Sequence, residues 1–347
     1  MQTRKIVLAL VVIFSLCLGG AFAYHHRYFR DSLAMRADML SLLPADATAV
    51  VFLDLAQLRS SPFLTQLFAW APRSAQDEEY AEFVRATGFH YERDLDRMAV
   101  ATSSQAPNTT LFVIAEGHFD RKKIEAYAVR SGLRIDHNGA AIFSIHFNDS
   151  GRTSFLTFQR DNRIAWTNDP SYTALFERPR SSSATAEWRE HFTRLAGTPL
   201  FAVIRQDSGA VSAFAEQAPG GLRSPQLAAL FNQLQWITVS GKPDGNQLRV
   251  VIDGECLSEA TVKQLSDFLG GILVLAQMGL NEPKTRKQLD PQLREACLEL
   301  LRSADVQKID RGTSKSVRMI FDVTPKLLET ARTASNATAP PLSPTTK

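Results

Sequence analysis

The sequence predicts an α+β fold with a largely antiparallel sheet, and three observations carry that expectation. Short runs rich in branched and aromatic residues recur along the chain, turn dipeptides separate them, and segments at helical spacing interrupt them. The plainest stretch is an antiparallel meander of four runs, 133–137, 141–147, 153–159 and 163–167. It is punctuated by Asn138-Gly139, Asp149-Ser150-Gly151 and Asp161-Asn162.

Thr48 to Leu55 (TAVVFLDL) reads as a buried strand bounded by Pro44-Ala45-Asp46. Leu58, Phe63, Leu64, Leu67 and Phe68 then recur near helical spacing, with Ser61-Pro62 marking the helix start, because proline suits the first helical turn. A helix over 76–87 stops at Gly88, which can take the left-handed conformation that ends helices. Residues 98–102 and 110–115 form a strand pair, and 120–130 form a helix. Past residue 186 the spacing predicts helices over 187–195, 210–216 and 226–234, and strands over 200–205, 235–240 and 247–253. A long apolar helix over 259–278, a helix over 291–302, strands over 306–309 and 317–323, and a helix from Pro325 complete the series.

Hydrophobic residues at 44% and charged residues at 22% are ordinary globular values, enough to bury a core in one large domain or two smaller ones. The expected organisation is an address segment at 1–23, a helical stalk at 24–43, a first lobe at 44–177, and a linker at 178–186 holding Pro179 and Ser181 to Ser183. A second lobe at 187–332 and a disordered Ala/Thr/Ser/Pro tail at 333–347 follow.

Both lobes read strand, helices, strand pair, helix, further strands, which points to an internal duplication. Glu116-Gly117, Phe119, the helix cap Asp120 and Ile124 in the first half match Asp253-Gly254, Leu257, the cap Ser258 and Val262 in the second. In each half an apolar residue before the cap is placed to pack on one in the helix, a hydrophobic staple.

The N-terminus directs the domain out of the cytoplasm. Arg4 and Lys5 precede an uncharged apolar run over 6–23, which at about 1.5 Å per residue spans roughly 27 Å, close to the hydrocarbon thickness of a bilayer. Two readings stay open: a signal peptide cleaved after Ala23, at the small-x-small triplet Ala21-Phe22-Ala23, or an uncleaved anchor with its N-terminus inside. Arg27, Arg30 and Arg36 beyond the run favour the anchor. Cys17 follows Phe14-Ser15-Leu16, which lacks the small residue a lipidated cysteine needs just before it.

Net charge is +3, from 39 Lys and Arg against 36 Asp and Glu, so nucleic acid is not an expected partner. Cys256 and Cys297 either pair in an oxidising compartment or stay as free thiols. No cofactor motif is present: Gly220-Gly221 and Gly270-Gly271 do not precede Lys-Ser/Thr, and no Gly-x-Ser-x-Gly elbow occurs. His90, His137, His146 and His191 have no metal-ligand partner at helical spacing. The one candidate catalytic or metal cluster is Glu116, His118 and Asp120, at a strand-to-helix junction, although Asp120 already has a capping role. The apolar helix 259–278, with Phe268 and Ile272, is expected as a core helix between sheet layers or as the wall of an apolar cavity.

Leu42-Leu43-Pro44-Ala45-Asp46-Ala47, leading into Val50-Val51-Phe52-Leu53-Asp54-Leu55 and then Leu58 and Ser61-Pro62-Phe63, resembles a family of secreted or membrane-anchored bacterial proteins of unknown function. Gly88-Phe89 and Asp94-Leu95-Asp96 are similar to that family's next element, so the resemblance covers residues 42–131. It implies an extracytoplasmic α+β domain and transfers no active residues. The sequence therefore points to an extracytoplasmic binding or structural module held to the membrane, with an unknown protein or apolar ligand as partner. The alternatives are an envelope hydrolase using Glu116, His118 and Asp120, or a carrier of an apolar ligand.

Overall fold

Two strands, β1 (Ala49–Asp54) and β8 (Leu200–Arg205), run antiparallel at the middle of the sheet, with Phe52 directly across from Phe201. The computed structural model describes residues 34–63, 78–105, 108–137, 139–147, 152–172, 175, 183–206, 229, 232–312 and 314–338. The N-terminal apolar run, the part of the expected helix holding Leu64, Leu67 and Phe68, the segments 210–216 and most of 226–234, and the tail beyond 338 lie outside these residues.

The other strands are β2 (Leu95–Gln105), β3 (Asn108–Gly117), β4 (Gly132–His137), β5 (Ala140–Phe147), β6 (Arg152–Arg160), β7 (Arg163–Thr167), β9 (Leu234–Asp244), β10 (Gln247–Cys256), β11 (Asp305–Asp310) and β12 (Lys315–Val323). All twelve join one open antiparallel sheet in the order β11-β12-β10-β9-β8-β1-β2-β3-β7-β6-β5-β4. The α+β expectation holds, and the meander β4-β5-β6-β7 forms in the expected order. Gly139 takes φ +82° between β4 and β5, a conformation strained for a residue with a side chain.

The halves do not stand apart as separate sheets, because β1·β8 pairing fuses them edge to edge. Outward from that seam each half repeats one order. Strands one, two and three lie side by side, and the half's last strand then pairs with the third: β1-β2-β3-β7 on one side and β8-β9-β10-β12 on the other.

The helices are α1 (34–40), α2 (Leu55–Arg59), α3 (Glu78–Thr87), α4 (Tyr91–Asp94), α5 (Arg121–Ser131), α6 (Ser183–Arg194), α7 (Glu259–Asn281), α8 (Pro283–Gln288), α9 (Pro291–Ser303) and α10 (Pro325–Thr338). Strand alternation gives the sheet two faces. On one, Val50, Phe52, Ala99, Ala101, Ile114, Phe201 and Val203 meet Met39 and Leu40 from α1 and Trp188 from α6. On the other, Ile124 of α5 packs with Phe158 and Ile164, and Val262 and Leu265 of α7 pack with Leu234, Cys256 and Val317.

Several expectations need correction. Residues 34–40 are helical but do not act as a stalk, since Met39 is 0% exposed and Arg36 is buried against the sheet. A short helix at Leu55–Arg59, capped by Asp54 through the Gln57 amide at 2.9 Å, precedes the helical turn that starts at Pro62, where Ser61-Pro62 predicts one. Helix α6 begins at Ser183, inside the expected linker, and α10 continues to Thr338, past the start of the expected tail. Helix α7 covers one face and is no central core helix: Val274 is 57% and Leu275 68% exposed, and Met278 is exposed as well.

The second staple also fails. Phe119 stacks on Phe89 at 5.2 Å and joins the Ile124 cluster, whereas Leu257 is 63% exposed. A bulge in the β9·β10 register between Glu255 and Cys256 offsets the strand end that precedes Leu257.

Candidate functional site

The main-core face of the sheet carries a row of alternating charges at one end of four adjacent strands. Asp54, Arg97, Glu116 and Arg163 are consecutive cross-strand neighbours on β1, β2, β3 and β7. Their side chains connect in the same order. Arg97 Nε donates to Asp54 at 3.1 Å, Arg97 Nη1 to Glu116 at 3.4 Å, and Arg163 Nε to Glu116 at 2.8 Å. Arg163 also donates to Asp38 of α1 at 2.7 Å, and Arg160 reaches the same carboxylate at 3.2 Å.

All four ladder residues are buried, a costly arrangement unless every charge is matched, which alternation achieves here. Burial acts to lower the Arg163 pKa, but Glu116 and Asp38 outweigh it and hold the guanidinium above its ordinary value. The same logic keeps Asp38 below the usual carboxylate range, since Arg163 and Arg160 overcome its desolvation.

The ladder takes Glu116 away from the expected catalytic cluster. His118 points to solvent, with a side chain 77% exposed and Nδ1 3.5 Å from Asp96. Asp120 is an exposed helix cap, accepting from the Lys123 amide at 3.2 Å. Glu116, His118 and Asp120 thus have three separate sets of partners and present no shared reaction centre. Among the described residues no group of three or more His, Cys, Asp or Glu is placed to hold a metal. Cys256 and Cys297 are both free thiols, and burial pushes Cys256 up to about 11.

The second half brings together residues that no local spacing could have linked. Asp253 on β10 lies directly across from Arg318 on β12, which donates to it at 2.8 and 2.9 Å. Glu255 pairs with Arg194 of α6, and His191 of the same helix comes within 3.8 Å of it. The His191 ring lies on Trp236 at 4.3 Å. Burial and the neighbouring Arg194 and Arg311 push the His191 pKa down to about 4, so the ring is neutral and accepts from Arg194. A polar cleft of about 690 Å³ opens here, between Glu187 and Glu190 of α6 and Glu255 on the sheet.

A second cleft, of about 320 Å³, separates α1 from α6 on the same face. Its walls are Leu40, Leu43, Val50, Trp188 and Phe192, with Ala37 and Ala196 at exposed positions. Arg36 lies in its inner wall over the paired rings of Phe52 and Phe201, 4.7 Å from each centroid, and donates to the Thr198 and Leu195 carbonyls at 3.0 and 2.8 Å. Burial lowers its pKa to about 10, opposed by the charge of Asp54, so it remains a cation at neutral pH. The size and apolar lining match small-molecule sites.

Sequence reasoning reached neither cleft. It looked for an apolar cavity beside Phe268 and Ile272, but this one lies at α1 and α6. The signal it could have used is Arg36, Met39, Leu40 and Leu43, a helical pattern with one cation inside an apolar stripe. Among the described residues no helix is long and apolar enough to cross a membrane.

No family model matches the chain, and no curated protein matches it in sequence. Among solved structures it is distantly similar to TP0453 of Treponema. Crystal form I gives a TM-score of 0.45 at 8% identity, covering 85% of this chain and 96% of that one. Crystal form IV gives 0.41 at 10% identity, covering 86% and 96%.

Proposed function

We propose that this protein is an extracytoplasmic binding module, tethered by residues 6–23, whose ligand site is the cleft between α1 and α6. The observation that carries the reading is the cleft itself: an apolar concavity of about 320 Å³ between two helices on the main-core face. The apolar N-terminal run supports the extracytoplasmic placement. The hydrolase alternative has no such support, because Glu116 is held by Arg97 and Arg163 while His118 faces solvent.

A neutral apolar dye, N-phenyl-1-naphthylamine, tests the site. Its fluorescence should rise on titration with the full-length chain, and Ala37→Trp should weaken binding at least tenfold by filling the cleft from an exposed position. Equal dye binding by Ala37→Trp and the native chain would reject the site.

A further inference from the structure

We infer that the α1/α6 cleft takes an anionic amphiphile, a single apolar chain carrying one acidic head group; this rests on the binding-module reading above. Two features of the lining point to it. The first is chain chemistry: Leu40, Leu43, Val50 and Phe192 offer a surface that gains by excluding water.

The second is charge. Two residues of formal charge line the cleft, Arg36 and Arg189, both positive, and no Asp or Glu does. Arg36 is 5% exposed, yet its hydrogen-bond partners are two neutral carbonyls, it lies over two aromatic rings, and the nearby carboxylate that acts on it, Asp54, is bonded to Arg97. No carboxylate forms an ion pair with it among the described residues. A buried cation is ordinarily paired. Arg163, on the same face, shows the ordinary solution, with Glu116 and Asp38 both bonded to it. Arg194, beside the polar cleft, is likewise matched by Glu255.

Arg189 is exposed on α6, in the cleft wall, and no ion pair of its side chain occurs among the described residues. An acid group at the mouth would meet Arg189 directly and feel the attraction of Arg36 through an apolar, weakly screening medium. A cationic head would meet two like charges. The cleft therefore selects by the sign of the head group as well as by the chain.

The test uses the full-length chain held in amphipol and follows quenching of tryptophan fluorescence by three chains of equal length: 12-bromododecanoate, 12-bromododecanol and (12-bromododecyl)trimethylammonium. Bromine quenches on contact, and Trp188 lines the cleft. The acid should bind at least tenfold more tightly than the ammonium compound, with the alcohol between them. Arg189→Gln, at an exposed position that leaves the core intact, should bring the acid and alcohol within about threefold of each other. Trp188→Phe should abolish most of the quenching. Equal binding of all three chains would overturn the anionic head while leaving the cleft as the site. Absence of quenching by any of them, or quenching undiminished in Trp188→Phe, would overturn the cleft reading together with this one.

Discussion

Glu116 on β3 lies directly across the ladder from Arg163 on β7, and the pair is sealed into the core with Arg97 and Asp54 on the flanking strands. Removing one partner strands the other charge away from water. Glu116→Ala is expected to destabilise the fold by about 3–5 kcal/mol, the usual cost of an uncompensated buried charge. The double variant Glu116→Leu/Arg163→Met removes both charges and keeps the volume, so it should cost markedly less than the single change. Urea unfolding of Glu116→Ala, of the single changes Glu116→Leu and Arg163→Met, and of the double variant decides this. A double variant that loses as much as the two single changes summed would show that the pair is not coupled.

The pairing recurs. Asp253 faces Arg318 from the third strand of the second half to its last strand, the same places that Glu116 and Arg163 hold in the first. We propose that the halves descend from one duplicated unit. Superposing β1-β2-β3-β7 on β8-β9-β10-β12 should bring Asp253 onto Glu116 and Arg318 onto Arg163. A best fit displaced by one residue would turn the acid to the opposite face and contradict the duplication.

The failed staple gives a paired test of packing. Phe119 contacts Phe89 and Phe158, so Phe119→Asp is expected to cost about 2–4 kcal/mol through lost burial and a poorly solvated charge. Leu257→Asp should stay within about 0.5 kcal/mol, because that side chain is already exposed. His118→Ala should leave both stability and dye binding unchanged. Thermal melts of the three variants check the ordering; a large shift for Leu257→Asp would contradict the exposed position.

His191 should make stability depend on pH. Its folded pKa is about 4, below the ordinary value near 6.5, so between these limits the unfolded chain binds the proton that the folded chain refuses. Stability is therefore full above pH 6.5 and falls as pH drops toward 4, by up to about 3 kcal/mol. Urea midpoints measured across that window should decline in the native protein and decline less in His191→Gln. Parallel profiles would assign the loss to other groups.

What could be read from sequence was local. The caps Asp120 and Ser258 accept from amides three residues on, and Gly88 at φ +74° ends α3, so spacing alone revealed them. The strands were equally visible, since each alternates or forms a short branched run between turns. The sites were not legible, because their contacts are long-range: His191 of α6 meets Glu255 on β10, and Arg36 reaches the carbonyls of Leu195 and Thr198. Glu116 looked reactive beside His118 because residues two apart share one face of a strand, but β3 ends at Gly117, so His118 leaves the ladder and turns to solvent. Helix α7 misled for a different reason. An apolar surface all round normally marks an interior helix, but the sheet covers one side of this helix, leaving Val274, Leu275 and Met278 in solvent.

A crystal structure of the protein with 12-bromododecanoate, phased on the bromine anomalous signal, tests the binding site most directly. The expected result is a bromine peak within the cleft, among Leu40, Val50, Trp188 and Phe192, with the carboxylate toward Arg189. A peak on the exposed face of α7, at Val274 or Met278, with the α1/α6 cleft unoccupied, would contradict the account.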